Sequence, residues 1–319
     1  MTRISVGLPV YNGERYLEQA LDSLVHQTHK DLEIIISDNA STDRTAEICR
    51  EHAERDPRIR YVRQEVNRGG AFNHMFVLSE ATAPYFRMFA ADDWMAPTCL
   101  ESCAAALDDH PDVVLAWTGT TMVDEDDNEL TWYRTDQVWD DRSPSTRLAS
   151  LLVPRGDRSL LEWSSPMYGV ARREDFVAAY RLTYGGADNE AMIKLALRGH
   201  WWCVPEPLFF RRNHPDSSMG TRTLHEAAVW MDPSGKPGRS LPNIRRRLGT
   251  AQGVLRTPMP PLERIRCALV LVRVFSRPTE WKAVAWDLRV LGRELLTDLR
   301  GRTRIRGAQP RLDDEGSRP

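Results

Sequence analysis

The sequence predicts an α/β fold: a mainly parallel, Rossmann-like sheet flanked by helices, with a helical extension at the C-terminus. Three observations support this prediction. Between residues 4 and 90, apolar strand-like segments alternate with segments of helical periodicity, which is typical of parallel β-α-β units. The 319 residues, 41% of them hydrophobic, can bury one large domain or two smaller ones. After residue 240 only the helical period remains.

The predicted strands and helices alternate along the first part of the chain. The first strand, ISVGLPV, precedes a helix in which Leu17, Leu21 and Leu24 share one face. The strands LEIIISD, IRYVRQE and YFRMFA follow, with a helix before each of the last two. We predict strands at 4–10, 32–38, 59–65 and 85–90, and helices at 14–26, 43–55 and 70–80.

A polar segment follows each of the four strands. Ligands of open α/β sheets bind beyond the carboxyl ends of the strands, so these segments indicate where a site would lie. Each segment is also typical of an ordinary turn, because Asp, Asn, Ser, Thr and Gly are common in loops. Four in succession favour a binding site. The segments are PVYNGE at 9–14, SDNASTD at 37–43, NRGG at 67–70 and AADD at 90–93.

Composition and motifs argue against several classes of protein. Five cysteines without a CxxC pair indicate neither a disulfide framework nor a zinc site, which favours a cytoplasmic setting. No signal-peptide pattern is present, and the longest clean apolar run near the tail, Cys267 to Val272, is far below the roughly 18 residues of a membrane span. Dinucleotide and P-loop fingerprints are absent, so NAD, FAD and P-loop enzymes are not expected. We expect no nucleic-acid partner.

A family resemblance covers about residues 3–125. The stretch GLPVYNGERYLEQALDSLVHQTHKDLEIIISDNASTDRT, with NRGG and AADD behind it, closely resembles the N-terminal half of family-2 glycosyltransferases. Those enzymes have the GT-A nucleotide-diphospho-sugar transferase fold. The resemblance implies two groups of nucleotide-binding residues, one at the nucleobase and one along the nucleotide. The first group is Pro9, Tyr11 and Asp38, and the second is Asn67 and Gly69.

Asp38 carries the preference for the nucleotide. A carboxylate at the end of the second strand can accept a hydrogen bond from the imide N–H of uracil or thymine, which cytosine and adenine lack. A UDP- or dTDP-sugar is therefore favoured as the donor, although the N1–H of guanine also fits. The alternative is a local turn in which Asp38 binds neighbouring backbone.

Two adjacent carboxylates, Asp92 and Asp93, follow the fourth predicted strand. They repel each other unless a cation lies beside them, and a nucleotide diphosphate brings a divalent metal that takes carboxylate and phosphate oxygens. The resemblance makes the pair a DxD-like motif, with Asp93 as the direct ligand of Mn²⁺ or Mg²⁺ and Asp92 on the ribose or a bridging water. A plain cap of the helix that begins near Pro97 is the alternative.

The second half of the chain carries weaker similarity. The segment at 164–176 resembles the family's acceptor side, and Asp188 falls on a family motif as the candidate catalytic base. An acceptor hydroxyl must lose its proton as it attacks the anomeric carbon, and one carboxylate suffices for an inverting displacement. Ala187 and Lys194 depart from the family's usual Glu and Arg. Glu190 is the reserve base, and a helix cap is the alternative role of Asp188.

A predicted strand ends in R-x-H, which supplies Arg212 and His214. The resemblance implies that Arg212 holds the leaving diphosphate and that His214 completes the metal site, since imidazole is an acceptable Mn²⁺ ligand. Solvated loop side chains are the alternative. No Q-x-x-R-W sequence is present, which favours a non-processive enzyme.

We therefore predict an inverting, metal-dependent transferase that moves one sugar from a nucleotide-sugar donor to a sugar or lipid-linked acceptor, as in bacterial cell-surface polysaccharide or glycoconjugate synthesis. A donor-binding but inactive module and a nucleotidyltransferase of the same fold are the alternatives. The predicted parts are a nucleotide-binding half at 1–125, an acceptor-binding and catalytic half at 126–239, a helical extension at 240–300 and a disordered tail at 301–319.

The C-terminal extension is basic. Residues 241–319 hold 17 Lys and Arg against 8 Asp and Glu, while residues 1–240 hold 26 against 37. An apolar helical face runs from Trp281 to Leu299, but acids including Asp287 interrupt its positive surroundings. Peripheral contact with the inner face of the plasma membrane, packing on the catalytic domain and contact with a second subunit all stay open.

Overall fold

The computed structural model describes residues 2–133, 143–152, 166–181, 184, 187–215, 217, 230–232 and 241–306, with side chains through residue 296. Within these residues the chain forms nine strands and ten α-helices. The strands are β1 Ile4–Val10, β2 Leu32–Asp38, β3 Ile59–Arg63, β4 Tyr85–Met88, β5 Trp94–Met95, β6 Val113–Val123, β7 Glu129–Tyr133, β8 Val170–Arg172 and β9 His200–Arg212. The helices are α1 Leu17–Val25, α2 Thr45–Arg55, α3 Gly70–Glu80, α4 Cys99–Asp109, α5 Pro144–Leu152, α6 Arg173–Ala179, α7 Ala187–Arg198, α8 Pro242–Arg256, α9 Pro261–Phe275 and α10 Pro278–Arg306.

The predicted alternation in the first ninety residues is confirmed. The strands β1 and β2 and the helix α3 have the predicted bounds, and the other elements differ by one to three residues at their ends. β4 stops at Met88 because the chain then turns away from the sheet, although the N–H of Phe89 still donates to the carbonyl of Gly7 at 2.9 Å. The hydrophobic periods, 2 residues for strands and 3.6 for helices, were therefore sufficient to predict these elements.

The sheet is mixed, with the predicted parallel strands in its first part and antiparallel pairs beyond them. β3, β2, β1 and β4 lie side by side and parallel, as predicted. β8 then runs antiparallel to both β4 and β6, while β9 runs parallel to β6. β7 and β5 add antiparallel pairs on β6 and β9. The parallel region ends where the strand–helix alternation of the sequence stops, since crossover helices no longer force neighbouring strands to run in one direction.

Two hydrophobic clusters cover the faces of the sheet. Along β2, Ile34 and Ile36 belong to one cluster and Ile35 to the other, as the period of two requires. Leu21 of α1 packs in the first cluster, and Leu195 of α7 packs in the second. The sheet is therefore covered by helices on both sides, as the sequence predicts.

The C-terminal helices α8 and α9 pack on the preceding part of the chain, and packing of this kind is one of the three roles left open by the sequence. α8 lies against α7, and α9 lies against α5. Two glycines allow α8 to come close to α7. A Cβ at Gly249 would lie 2.0 Å from the carboxyl carbon of Glu190, and a Cβ at Gly253 would lie 2.9 Å from Cγ of Lys194.

The last helix, α10, packs on α8 and α9 and is longer than predicted. It continues to Arg306, beyond the predicted boundary at 301, and the tail from 307 lies outside the described residues. Asp287 is only 1% exposed and accepts hydrogen bonds from the side chain of Asn243 and the N–H of Ile244 in the first turn of α8, so it caps that helix. Among the described helices, none is both long enough and apolar enough to cross a bilayer.

Replacing Gly249 with alanine tests the close approach of α8 to α7. Gly249→Ala should lower the free energy of unfolding by about 1–3 kcal/mol, because the added methyl group overlaps a carboxylate held by Tyr184 and Lys194. Gly292→Ala in α10 is the matched control, since no atom lies within 4 Å of its Cβ position. It should raise stability by up to about 1 kcal/mol. Urea unfolding measures both, and equal shifts would contradict the packing described.

Candidate active site

A cavity of about 520 Å³ opens at the carboxyl ends of β1 and β4. This is the edge of an α/β sheet at which ligands bind, and the volume suits a small molecule. Its walls come from the loops after β1 and β4, from the first turn of α3 and from residues much later in the chain. The cavity therefore draws on both halves of the molecule.

The loop after β1 forms one wall, with Pro9 and Tyr11 on it. Asn12 adopts a left-handed conformation with φ 50°, and its side-chain oxygen accepts a hydrogen bond from the N–H of Thr42 at 2.9 Å. The N–H of Asn12 donates to the hydroxyl of Ser41, also at 2.9 Å. The segment after β2 thus fixes the loop that presents Tyr11 to the cavity.

The NRGG loop is held by a pair of asparagines. Oδ1 of Asn67 accepts hydrogen bonds from Nδ2 of Asn39 and from the N–H of Gly69, both at 2.9 Å. Oδ1 of Asn39 accepts from the N–H of Arg68 in return at 3.0 Å. Gly69 has φ 85°, a conformation that favours glycine. Asn67 lines the cavity, whereas Gly69 shapes the turn below it.

Asn73 ties α3 to the ends of β1 and β2. Its Nδ2 donates to the carbonyls of Val10 and Ser37, and its Oδ1 accepts from the hydroxyl of Ser37. The side chain is buried and lines the cavity. The sequence analysis missed this residue. An asparagine on the same helical face as Val77 was the feature that indicated it.

Asp38 is fully buried and is not among the described residues on the cavity wall. One carboxylate oxygen accepts from the N–H of Ser41 at 2.8 Å, and the other accepts from the hydroxyl of Tyr61 at 2.9 Å. Burial, and then the Asp38 carboxylate, raise the pKa of Tyr61 well above its ordinary value. The local bond to Ser41 matches the alternative of a turn, and the nucleobase contact of Asp38 stays a prediction.

Asp92 and His214 meet on the cavity wall. Oδ2 of Asp92 lies 3.0 Å from Nε2 of His214, and the imidazole packs on the ring of Tyr16 with 5.0 Å between centroids. No group of three or more His, Cys, Asp or Glu side chains in the described part of the chain forms a ready-made metal site. A carboxylate beside an imidazole nevertheless offers ligand types that Mn²⁺ accepts.

Asp93, the predicted metal ligand, is only 3% exposed and is not among the described residues that line the cavity. Its Oδ1 accepts a hydrogen bond from the N–H of Arg212 at 2.9 Å. Burial raises the pKa of Asp93 to about 8, the charge of Asp92 adds to this shift, and Arg211 opposes it. The carboxyl group thereby connects the end of β4 to the end of β9.

The guanidinium group of Arg212 binds protein groups beside the cavity instead of lining it. It forms an ion pair with Asp127 and donates to Oε1 of Gln19 at 2.6 Å and to the carbonyl of Asp92 at 3.1 Å. It also lies 4.1 Å from the centroid of the Tyr16 ring. These contacts hold the wall residues Asp92 and Tyr16 in place.

Asp188, the predicted base, lies in the first turn of α7. Burial raises its pKa above the ordinary value of an aspartate, while backbone N–H groups and Arg211 oppose the shift. Its Oδ1 is buried and has no hydrogen-bond partner among the described residues. Asp188 is not among the described residues that line the cavity.

Tyr168 lies on the cavity wall, and the charges of nearby aspartates act on its hydroxyl group. Burial raises the pKa of Tyr168 to about 12, Arg211 opposes that shift, and Asp93, Asp92 and Asp188 add to it. Tyr168 therefore lies within the field of the aspartate pair and of the predicted base. The similarity at 164–176 did not single out this tyrosine.

Glu190, the reserve base, already has two partners. Its carboxylate accepts from the hydroxyl of Tyr184 at 2.5 Å and from the ammonium group of Lys194. Lys194, which departs from the family's usual arginine, is therefore paired one turn along the same helix. Oδ1 of Asp188, in contrast, has no partner among the described residues.

An aromatic part of the wall was not predicted. Trp230 packs on Gly70, where a Cβ would lie 2.7 Å from the indole ring, and it meets His74 edge to face at 5.9 Å. Nδ1 of His74 is 2.8 Å from the carbonyl of Gly70, and burial lowers the pKa of His74. The ring is therefore neutral, with Nδ1–H as donor and Nε2 as acceptor. No local pattern could place Trp230 here, because it comes from a distant part of the chain.

The predicted site residues thus fall into two groups. The first group lines the cavity, and the second supports it or lies outside its wall. The first is Pro9, Tyr11, Asn67, Asp92 and His214, and the second is Asp38, Gly69, Asp93, Asp188 and Arg212.

Comparison with known proteins identifies the first half of the chain. The model for the family described as "Glycosyl transferase family 2" matches residues 5–155. This part contains β1 to β7 and most of the cavity wall. Residues 5–155 belong to that family. The predicted family is confirmed.

Curated relatives share this family-2 region. Glycosyltransferase GlyA of Streptococcus pneumoniae is 39% identical over 100 residues, which are 31% of this chain and 14% of that protein. Putative glycosyltransferase EpsE of Bacillus subtilis is 33% identical over 124 residues, which are 39% of this chain and 45% of that protein. The alignments thus span less than half the length of these relatives.

Solved structures extend the likeness beyond the family-2 region. A structure of S. aureus TarS in complex with UDP-GlcNAc has a TM-score of 0.61 at 17% identity, covering 90% of this chain and 79% of that one. The mannosyltransferase PcManGT from Pyrobaculum calidifontis, in complex with GDP-Man and Mn²⁺, has a TM-score of 0.50 at 18% identity, covering 92% and 75%. At this identity the likeness shows the fold, and it confirms the predicted GT-A fold.

Replacing Asn73 tests the network that joins α3 to the strand ends. Asn73→Ala should lower the free energy of unfolding by about 1–3 kcal/mol, because the buried Ser37 hydroxyl and the Val10 carbonyl lose a partner. Ser79→Ala on the same helix removes only an exposed bond to Phe76, and it should shift stability by less than about 0.5 kcal/mol. Urea unfolding distinguishes the two, and a loss as small as the control's would contradict the role of Asn73.

Proposed function

We propose that the protein is an inverting glycosyltransferase that moves a single sugar from a nucleoside diphosphate donor to an acceptor hydroxyl. The observation that carries the proposal is the meeting of Asp92 and His214, from separate halves of the chain, on the wall of a cavity of about 520 Å³. That cavity lies at the edge of the sheet where α/β proteins bind ligands. Membership of residues 5–155 in glycosyl transferase family 2 supports transferase chemistry.

The donor in this proposal is a UDP- or dTDP-sugar. Pro9 and Tyr11 offer an apolar and aromatic surface to the base, and Asn67 offers polar groups beside it. Asp38 already accepts two hydrogen bonds, but a carboxylate has about four acceptor sites, so a further bond to an imide N–H is compatible with its partners. The S. aureus TarS structures with UDP and UDP-GlcNAc support a uridine donor.

The aspartate pair and His214 would hold Mn²⁺ or Mg²⁺ together with the diphosphate. Such cations take one or two carboxylates and complete their shell with phosphate oxygens, and imidazole suits Mn²⁺. Asp92 and His214 reach the cavity, and Asp93 is the adjacent residue. A bound cation offsets the charge of the leaving diphosphate. The Mn²⁺ in the PcManGT structure supports metal use.

Arg212 positions these groups in the proposal. Its N–H binds Asp93, and its guanidinium group binds the carbonyl of Asp92 and packs over Tyr16. These contacts set the relative position of the aspartate pair and the loop that carries His214. This role replaces the direct diphosphate contact expected from the sequence.

Asp188 is the proposed base. It takes the proton of the acceptor hydroxyl as the oxygen attacks the anomeric carbon and the bond to the diphosphate breaks. An unpartnered oxygen and a raised pKa both favour proton uptake by this carboxylate. A single displacement with one base inverts the anomeric configuration. The absence of Q-x-x-R-W supports transfer of one sugar at a time.

The acceptor in this proposal is a sugar or lipid-linked hydroxyl in the synthesis of a bacterial cell-surface polysaccharide or glycoconjugate. The named glycosyltransferases of S. pneumoniae and B. subtilis support a bacterial setting. An acceptor attached to lipid would bring the enzyme to the cytoplasmic face of the membrane.

Release of nucleoside diphosphate from a panel of UDP-, dTDP- and GDP-sugars tests the proposed donor and metal. With Mn²⁺ or Mg²⁺ present, we expect turnover of a uridine or thymidine donor, and EDTA should abolish it until metal is restored. Asp92→Asn, Asp93→Asn and His214→Ala should each raise the half-maximal metal concentration by roughly tenfold or more. Glu47→Gln, an exposed acid on α2, is the control. Donor binding without turnover would favour the inactive module. A protein that neither bound nor turned over any donor would contradict both the transferase and the inactive module.

Asp188→Asn should lower kcat by roughly 10²-fold or more with donor affinity nearly unchanged. Because the pKa of Asp188 is raised, the active carboxylate is lost as pH falls through a value above the ordinary aspartate value of about 3.9. The acid limb of the wild-type rate profile should lie there and should be missing in the variant. Glu190→Gln is the comparison and should keep the limb. Full activity of Asp188→Asn would transfer the role of base to Glu190.

A further inference from the structure

The outer faces of α9 and α10 expose an unusual amount of hydrophobic surface. Of 17 exposed large hydrophobic side chains in the described part of the chain, nine lie on α9 and α10. Scattered single residues of this kind are normal on a protein surface, but a concentration in one region marks an interaction site. We propose that these outer faces form a surface that docks on an anionic lipid bilayer.

The helix α9 is apolar on two opposite sides. Its buried side contains Cys267, Leu271 and Val274, and α9 lies against α5 and α8. Its other side is open, with Leu269 63% exposed and Val272 67% exposed. Leu262 and Ile265 continue this open stripe at helical spacing. Only one of the two apolar sides is covered by the rest of the protein, so the open side is available to a second apolar partner.

Cations accompany the exposed apolar residues in a repeated pattern. In α9 and in α10, an exposed apolar residue is followed directly by an exposed Arg or Lys, and the pair recurs seven residues later on the same side of the helix. Such side chains can place their stems on apolar surface and their charges at phosphate groups. The four pairs are Ile265–Arg266, Val272–Arg273, Trp281–Lys282 and Leu288–Arg289.

Two of the acidic residues that interrupt the basic pattern in the sequence, Glu280 and Asp287, are turned inward in the structure. Glu280 accepts hydrogen bonds from Arg246 and Arg247 of α8, and Asp287 is buried as the cap of the same helix. Glu263 is also buried, with its carboxylate bound to the N–H and the hydroxyl of Ser145. Oε1 of Glu263 also pairs with Arg266, so the outer surface loses the negative charges of Glu280 and Asp287, while Glu263 partly offsets the charge of Arg266.

The charge pattern favours a bilayer over a second copy of the chain. A symmetric dimer would place the same patch against itself, which brings the rows of Arg and Lys into mutual repulsion. An anionic bilayer instead supplies opposite charge at its surface and an apolar layer just below it. Acidic phospholipid is therefore the partner that matches both features of the surface.

Sedimentation with vesicles tests the docking surface. We expect the full chain to bind vesicles of phosphatidylcholine mixed with phosphatidylglycerol at low salt, and to bind pure phosphatidylcholine much more weakly. The charge variant Arg266→Gln, Arg273→Gln, Lys282→Gln and Arg289→Gln should lose binding by more than tenfold, since each charge contributes about a fivefold factor. The apolar variant Leu269→Ser, Val272→Ser should also lose binding at unchanged charge.

A matched charge control removes four exposed cations from the first half of the chain. The control variant is Arg3→Gln, Arg44→Gln, Arg55→Gln and Arg60→Gln. These four arginines form surface ion pairs away from α9 and α10, so the control variant should bind vesicles as the wild type does. Thermal unfolding by circular dichroism confirms that each variant is folded. Equal loss in control and charge variant, or no binding of the wild type at low salt, would overturn the proposal. A dimer in sedimentation velocity that the apolar variant dissolves would assign the surface to a second copy instead.

Discussion

The hydrogen bond from the N–H of Arg212 to the buried carboxyl group of Asp93 is the contact on which the candidate site depends. Asp93 follows β4, in the family-2 region, and Arg212 ends β9, in the second half of the chain. The bond fixes the end of β9 two residues before His214, so the imidazole comes within 3.0 Å of Asp92. A buried carboxyl group needs such a partner, because an unsatisfied one would cost several kcal/mol. A hydrogen bond between Arg212 and Asp93, neither of which lines the cavity, therefore fixes the position of residues that do.

Charge balance behind the wall follows from the same arrangement. Burial raises the pKa values of both Asp93 and Asp188, and Arg211 lowers both. One arginine, itself buried, therefore favours the carboxylate forms of two separate groups, one at the proposed metal site and one at the proposed base. The charges of both carboxylates also raise the pKa of Tyr168, and the guanidinium carbon of Arg211 lies 5.3 Å from the centroid of the Tyr168 ring.

Local sequence patterns predicted the first half well, because its elements depend on periodicity that is visible in short windows. The bounds of β1, β2 and α3 were predicted to the residue, and the four polar segments were placed at the right ends of the strands. Where the outcome depended on tertiary contacts, the patterns were insufficient. The antiparallel position of β8, the inward direction of the Arg212 side chain and the arrival of Trp230 over Gly70 all involve partners distant in the sequence.

The C-terminal extension shows the same limit in a different form. In the sequence, Glu280 and Asp287 interrupt a basic, apolar helix face, and they weaken the case for a membrane contact. In the structure both acids serve α8: Asp287 caps its first turn and Glu280 pairs with Arg247. Because both acids bind α8, the rotation of α10 about its own axis is fixed. Trp281 then lies on the outer side, where it is 60% exposed. The contacts that attach α10 to α8 are therefore also the ones that decide which side chains of α10 face outward.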